Sequence, residues 1–209
     1  SILSSVAKVS GGEGIRIKPV GMHTKAEWTI QMSAIYSSLT RSNLTTAYLS
    51  NGTGGEFYTR ISSTAGIQVK NGRDGDDTWT QIPLQAGKWL HITYVHKDKK
   101  TTVYVNGKVQ KVFENSAITF GENSMIVVGN SGYRNDYLRE IRLWDKALTE
   151  SEINDYLYLP MDPATPHLIS YLPLSKEMET KDLKAPAGTE NVTTKARIEY
   201  VENVKFPAD

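Results

Sequence analysis

The sequence predicts an all-β chain built as two packed antiparallel sheets with one short helix, and three observations carry that expectation. Eleven tyrosines and abundant Thr, Val and Ile among 209 residues are the side chains that suit a pleated, half-buried surface. Breaks containing Gly or Asn divide the chain at short intervals into stretches of strand length. The apolar period of a helix shows in one place, after Leu148.

In chain order the expected strands cover 14–18, 28–36, 45–49, 56–62, 66–70, 89–96, 101–106, 109–113, 125–129 and 139–144. The clearest signal is a hairpin, where Asn106-Gly107 supplies the two positive-φ residues of a two-residue turn. That turn sets Val105 opposite Lys108 and Tyr104 opposite Val109, so Val103 and Val105 share one face while Tyr104 and Val109 share the other. Apolar groups on both faces fit a strand with one face in the core and the other partly sheltered, as in a concave groove. A capping box follows. The Thr149 side chain is placed to accept from the Glu152 amide and the Glu152 carboxylate from the Thr149 amide, with Leu148 and Ile153 as the hydrophobic staple. The helix it starts is expected near 149–159, its stripe of Ile153, Tyr156 and Leu157 plugging one end or edge of the sandwich before Pro160 stops the run. Three prolines in 160–166 read as an extended connector, and 167–174 and 195–206 as further strands. The fifty residues of 160–209 bury too little surface alone. The reading is therefore one sandwich over 1–209: a main body in 1–159, with the connector and C-terminal return strands packed on it.

Charge and composition exclude several classes. With 24 basic and 23 acidic residues the net charge is +1, which argues against a dedicated nucleic-acid binder. The absence of cysteine removes disulfides, thiolate chemistry and sulfur-ligated zinc. No apolar run approaches the roughly 18 residues of a spanning helix, so no membrane insertion is expected of this segment, and 1–10 lack the features of a signal peptide. The N-terminus reads as a cut or processed end. Phosphate-loop and Gly-x-Ser-x-Gly patterns are missing.

Four blocks, Gly87-Lys88-Trp89-Leu90-His91-Ile92-Thr93-Tyr94-Val95, Val103-Tyr104-Val105-Asn106-Gly107-Lys108, Val127-Val128-Gly129-Asn130 and Glu140-Ile141-Arg142-Leu143-Trp144-Asp145-Lys146-Ala147-Leu148-Thr149 with Glu152-Ile153, stand in an order and spacing that resembles the laminin-G-like, concanavalin A-like jelly-roll domains. The resemblance covers roughly 14–159. The tail is similar to the terminal segment that follows such domains in surface proteins of gut Bacteroidetes, although the usual Tyr-Trp pair and Glu-Gly-x-Gly run are replaced by Tyr171-Leu172 and Lys176-Glu177-Met178-Glu179. What this implies is a two-sheet antiparallel jelly-roll sandwich, a module of a longer multidomain protein that is extracellular or on the cell surface, lipid-anchored bacterial surface proteins included, and a binder of glycans or surface proteins. It does not imply an enzyme. Related glycosidases carry clustered carboxylates on one strand; here Glu140 and Asp145 are five positions apart and point to opposite faces of a regular strand.

Candidate ligand-binding residues come from loops. Sugars present apolar faces and hydroxyl edges, so a site needs aromatic platforms beside amide, carboxylate or guanidinium groups. The 130–137 loop holds both kinds in Asn130, Tyr133, Arg134, Asn135 and Tyr137, and Trp79 is a further aromatic placed for exposure. Tyrosines packing over the sandwich edge are the equal alternative. The 71–77 loop offers hard oxygen ligands for calcium in Asp74 and Asp76, with Asp136 on a second loop. A solvated acidic turn competes with that reading, because the EF-hand pattern fails at Gln85, and many domains of the resembling family bind calcium through residues distant in sequence. Trp89 and His91 share a strand face and read as packing. The scattered His23, His96 and His167 lack metal-ligand spacing. The leading functional expectation is a non-catalytic carbohydrate-binding module; the alternative is a protein-interaction or spacer domain that positions a neighbouring glycosidase or adhesion module.

Overall fold

The Asn106-Gly107 turn forms with φ of 51° and 78°, joining β8 (Lys100–Val105) to β9 (Lys108–Phe113) in the expected register, Tyr104 opposite Val109 and Val105 opposite Lys108. Val103 and Val105 enter the core, whereas Val109 stays exposed on the edge strand. The computed structural model describes residues 2–40, 45–50, 57–70, 75–114, 120–129 and 132–207, with 2–3 and 45–50 described by backbone alone.

The remaining strands are β1 (Ile2–Ser10), β2 (Ile15–Ile17), β3 (Trp28–Ile35), β4 (Thr45–Ser50), β5 (Phe57–Ser62), β6 (Gly66–Lys70), β7 (Trp89–Lys97), β10 (Met125–Val128), β11 (Asp136–Trp144), β12 (Leu168–Leu172), β13 (Val192–Thr194) and β14 (Arg197–Phe206). They make an all-β, antiparallel arrangement of two sheets. The larger runs β14-β1-β11-β3-β7-β8-β9, with β12 also paired to β11; the smaller runs β13-β2-β10-β4-β5-β6.

Alternation fills the space between the sheets. Trp28, Ile30, Met32 and Ala34 of β3 and Leu90, Ile92 and Tyr94 of β7 meet Ile15, Ile17, Phe57, Ile61, Ile67, Val69, Ile126 and Val128 of the smaller sheet. Each Val, Leu, Ile, Phe or Met among them contributes roughly 1.5–3 kcal/mol on burial. Trp28 sits among Phe57 at 5.4 Å, Phe120 at 5.7 Å and a stacked His96 at 5.0 Å.

Two strands, β1 and β13, lie outside the expected set. In β1 a register shift between Ser4 and Val6 interrupts the alternation that would have marked the strand, and β13 has three residues. β14 pairs with β1 from Ile2–Phe206 to Ser10–Arg197, and β12 with β11 from Ile141–Leu172 to Trp144–Leu168. The capping box forms as expected, but α1 (Glu150–Asp155) is shorter than 149–159. The chain leaves the helix where the Arg142 guanidinium takes the carbonyls of Tyr156 (3.1 Å) and Leu159 (2.6 Å), and Tyr158 turns left-handed at φ 56°. This cover lies on the outer face of the larger sheet, with Leu148, Ile153 and Met161 packing against Val95, Trp144 and Tyr171.

Candidate functional site

The middle of the larger sheet's outer face, over β11, β12, β3 and β7, is covered. A shift in pairing between Arg139 and Ile141 resets the alternation along β11, so that Ile141 and Leu143 fill the core while Glu140 and Arg142 stand on the other side under the α1 cover. The polar groups there satisfy one another. Arg142 Nε donates to Glu140 Oε1 at 2.7 Å, Tyr171 donates to Glu140 Oε2 at 2.8 Å, Trp144 Nε1 to Gln31 Oε1 at 2.8 Å and Gln31 Nε2 to Thr93 Oγ1 at 3.2 Å. Burial, and then the Glu140 charge, hold the Tyr171 hydroxyl well above its usual range, so it remains a donor. His91 is pushed down to about 3, first by burial and then by Arg142, and stays neutral beside the edge of Tyr158. Trp89 Nε1 donates to the Lys205 carbonyl at 2.8 Å while its ring packs on Phe206. The Trp89–His91 pair is therefore structural, the packing role expected of it.

The smaller sheet presents a different outer face. Because β2, β5, β6 and β10 turn their apolar residues inward, Arg16, Tyr58, Arg60, Lys70 and Met125 emerge on the other side, each half-exposed, with Val127 buried in the floor between them. Register aligns them across the strands. One row runs Thr193, Arg16, Val127, Tyr48, Tyr58, Lys70. Arg16 and Lys70 are four strand steps apart, about 19 Å at ~4.8 Å per step, a span that accommodates several sugar rings. Arg60 stands opposite Gln68 in a second row, which Trp79 extends through a bridge to Gln68.

Trp79 is held there by its neighbours. Gln68 Nε2 donates to Thr78 Oγ1 at 2.9 Å, Thr80 N to the Ile67 carbonyl at 2.8 Å, and Lys111 Nζ from β9 to the carbonyls of Asp77 (2.8 Å) and Trp79 (3.1 Å). Gly66, at φ 81°, makes the close approach of Thr80 and Ile82 feasible, since a Cβ would collide with both. Arg16 Nε donates to the Glu13 carbonyl at 3.1 Å. The result is two described aromatic side chains, Tyr58 and Trp79, flanked by guanidinium and ammonium groups, with Gln68 buried between the strands and held by Thr78.

This is not the constellation expected from the 130–137 loop. Tyr133 is fully buried, its hydroxyl 3.1 Å from that of Tyr36 and its ring edge-on to the Tyr36 ring. It is a core residue and offers no platform. Asp136 is likewise fully buried: Oδ1 accepts from the Ser37 amide at 2.7 Å and Oδ2 from the Arg134 amide at 2.8 Å, so the carboxylate organises the loop instead of facing a cation. Tyr137 is half-buried on β11 against the Tyr158–Phe206 cluster. Arg134 and Asn135 are exposed; Asn135, at φ 54°, exchanges hydrogen bonds with Ser10 and lines a surface notch of about 230 Å³ with Lys8 and Arg197. Trp79 stands apart from them at the β6 edge. Asp76 is exposed at the start of a single 3-10 turn, and Asp74 and Asn130 lie outside the described residues. Among the described residues no three His, Asp or Glu side chains gather to hold a metal. The buried carboxylates of the described residues are Asp136, Glu140 and Asp182. The last accepts from the amides of Tyr171 and Lys184 and from Asn191 Nδ2.

Tyr58, Arg60, Arg16, Gln68 and Lys70 escaped the sequence reading. The alternation in 57–61 and 66–70 marks which residues face outward, but their convergence depends on strand order, which no local pattern encodes.

Comparison with known proteins agrees with this architecture. A family model described as concanavalin A-like lectin/glucanases superfamily, of the Laminin_G_3 type, matches residues 10–154. No curated protein sequence matches the chain. Among solved structures, a Bacteroides ovatus protein provisionally described as carbohydrate-binding is 18% identical over 99% of this chain and 62% of that one, with a TM-score of 0.73. Domain 4 of the Geobacillus stearothermophilus extracellular arabinanase AbnA, in complex with arabinotriose, is 18% identical over 75% and 82% respectively, TM-score 0.58. A Trypanosoma rangeli sialidase is 13% identical over 71% of this chain and 26% of that one, TM-score 0.56. At these identities the likeness establishes the fold.

Proposed function

This chain belongs to the concanavalin A-like lectin/glucanase superfamily, and from that premise we propose that it is a non-catalytic carbohydrate-recognition module which seats an oligosaccharide on the outer face of its smaller sheet. One observation carries the reading: of the two outer faces, the middle of the larger sheet's is covered by α1 and the chain that follows it, while the smaller sheet's displays Tyr58 and Trp79 beside Arg16, Arg60 and Lys70. Aromatic faces receive the apolar side of a sugar ring, and fork-shaped or amide donors receive its hydroxyls. The arabinotriose-bound arabinanase domain supports the same class of ligand. Against catalysis stands the use of each buried carboxylate as a structural acceptor, with Glu140 locked to Arg142 instead of paired with a second acid across a cleft.

Such a module works within a secreted or cell-surface protein. The chain spans about 62% of the Bacteroides ovatus protein it matches, and no helix among its described residues is long and apolar enough to cross a membrane. The test is a titration of the intact chain against arabinotriose and a glycan array, with and without calcium, repeated for Tyr58→Ala and Trp79→Ala. Loss of one aromatic platform should weaken binding at least about fivefold, the ~1 kcal/mol scale of a contributing contact. Complete silence across the array would favour a spacer or protein-interaction role, and binding unchanged in both variants would move the site elsewhere.

A further inference from the structure

The six strands of the smaller sheet read IRI, TTAYLS, FYTRIS, GIQVK, MIVV and VTT. They contain Arg16, Arg60 and Lys70 and no Asp or Glu, in a chain whose charges as a whole nearly balance, at a net +1. The strands of the larger sheet mix both signs, with Asp136, Glu140, Glu199 and Glu202 among their lysines and arginines. All three cations of the smaller sheet fall on its outer face, because the inward positions are taken by the core, and Lys18 adds a fourth just past β2. Among the described acids close to these strands in sequence, Glu13 pairs with Lys195 at 3.3 Å, and Asp76 and Asp77 precede Trp79.

Building on the carbohydrate reading above, we infer that the ligand of this face is an anionic oligosaccharide, its carboxylate or sulfate groups received by Arg16, Arg60 and Lys70 while its rings lie on Tyr58 and Trp79. Guanidinium forks match the planar, two-oxygen geometry of such groups better than any neutral donor does. Spacing the cations across about 19 Å suits charges repeated along a chain. A surface of one sign also raises the local concentration of an oppositely charged partner, an effect that salt weakens.

The experiment titrates the intact chain with trigalacturonic acid, a heparin-derived tetrasaccharide, arabinotriose and a short single-stranded DNA, at low and near-physiological salt. The inference expects at least one acidic sugar to bind about tenfold or more tighter than arabinotriose at low salt, with the advantage shrinking as salt rises. Trigalacturonate carries carboxylates alone and the heparin fragment sulfates as well, so binding of the heparin fragment without trigalacturonate assigns the sulfate, and binding of trigalacturonate shows that carboxylates suffice. Arg16→Gln combined with Lys70→Gln, which removes two charges while leaving amide donors for hydroxyls, should weaken both sugars but cost the acidic one at least about fivefold more than arabinotriose, with Arg16→Lys retaining most of the affinity, while Tyr58→Ala should weaken both sugars equally. Melting curves of each variant show that it is folded, and the salt dependence of the unaltered chain stands without any variant. Equal affinity for neutral and acidic sugars would overturn the inference and leave the carbohydrate reading intact; silence toward every sugar would overturn both. Tighter binding of DNA, or an equal loss from Lys100→Gln with Lys176→Gln on the larger sheet and its neighbouring turn, would reduce the effect to unspecific attraction of polyanions and overturn it as well.

Discussion

Replacing Arg142 by methionine tests what closes the larger sheet. The guanidinium is almost fully buried and makes four interactions: Nε and Nη2 with Glu140, Nη1 with the Tyr156 carbonyl and Nη2 with the Leu159 carbonyl. Methionine fills much of the volume and replaces none of these bonds. Removing one partner of a buried ion pair costs about 3–5 kcal/mol, because the other charge is left uncompensated. Here Tyr171 still donates to Glu140, which recovers part of that penalty, while two carbonyls lose their donor at ~1 kcal/mol each. The net expectation is about 4 kcal/mol, or a fall in melting temperature of about 8–16 °C for a chain of this size. Urea denaturation with matched calorimetry measures it. Glu140→Gln keeps an acceptor for Tyr171 and removes the charge, so the double variant should be at least about 1 kcal/mol more stable than the sum of the two single losses. A cost for Arg142→Met below about 1 kcal/mol, or strict additivity in the cycle, would show that the α1 cover is held by apolar packing alone and would refute this account.

Two further outcomes follow from the same cover. Asn106 Oδ1 accepts from the His91 amide at 2.8 Å and from the Tyr158 hydroxyl at 2.6 Å, so Asn106→Gly, which keeps the turn geometry, should cost about 2–3 kcal/mol, whereas Asn106→Asp should stay near the unaltered protein in thermal melts. Burial, followed by Arg142, lowers His91 to about 3 in the folded state from its ordinary 6.5. Between those values the unfolded chain binds the extra proton, so stability is full above about pH 6.5 and falls toward pH 3 by up to ~1.4 kcal/mol per pH unit. Burial of His96 adds in the same direction, and His91→Gln should remove its own share of the slope in urea melts at pH 4 to 7; an unchanged slope would show that His91 does not carry it.

Local chemistry made much of the fold readable. Asn106-Gly107 has one low-energy turn available, which fixed the β8–β9 register, and Thr149 with Glu152 satisfies its own helix end, which located the start of α1. Where the alternation is clean, as in β3, β5 and β7, so was the strand. It failed at β1, where the shift beside Val6 hides the period, and at the end of α1, where a distant guanidinium takes carbonyls the sequence assigned to the helix. The site suffered most. A tyrosine in a polar loop looks the same whether its ring points out or in, and the core contact with Tyr36 that drew Tyr133 inward links residues 97 positions apart. Asp136 likewise offers acceptor oxygens to any donor, and two nearby amides took them.

By itself, then, the sequence determined most of the strands, which face of each of those is apolar, where the hairpin and helix begin, and the family resemblance of its four ordered blocks. Tertiary structure alone decided that Arg16, Tyr58, Arg60 and Lys70 share a face, that Trp79 joins them across Gln68, and that the middle of the opposite face is covered. The reason is physical: turns, caps and alternation are properties of neighbours along the chain, whereas strand order and the choice of covered face follow from burying two sheets' apolar sides together, a free energy that belongs to the whole chain at once.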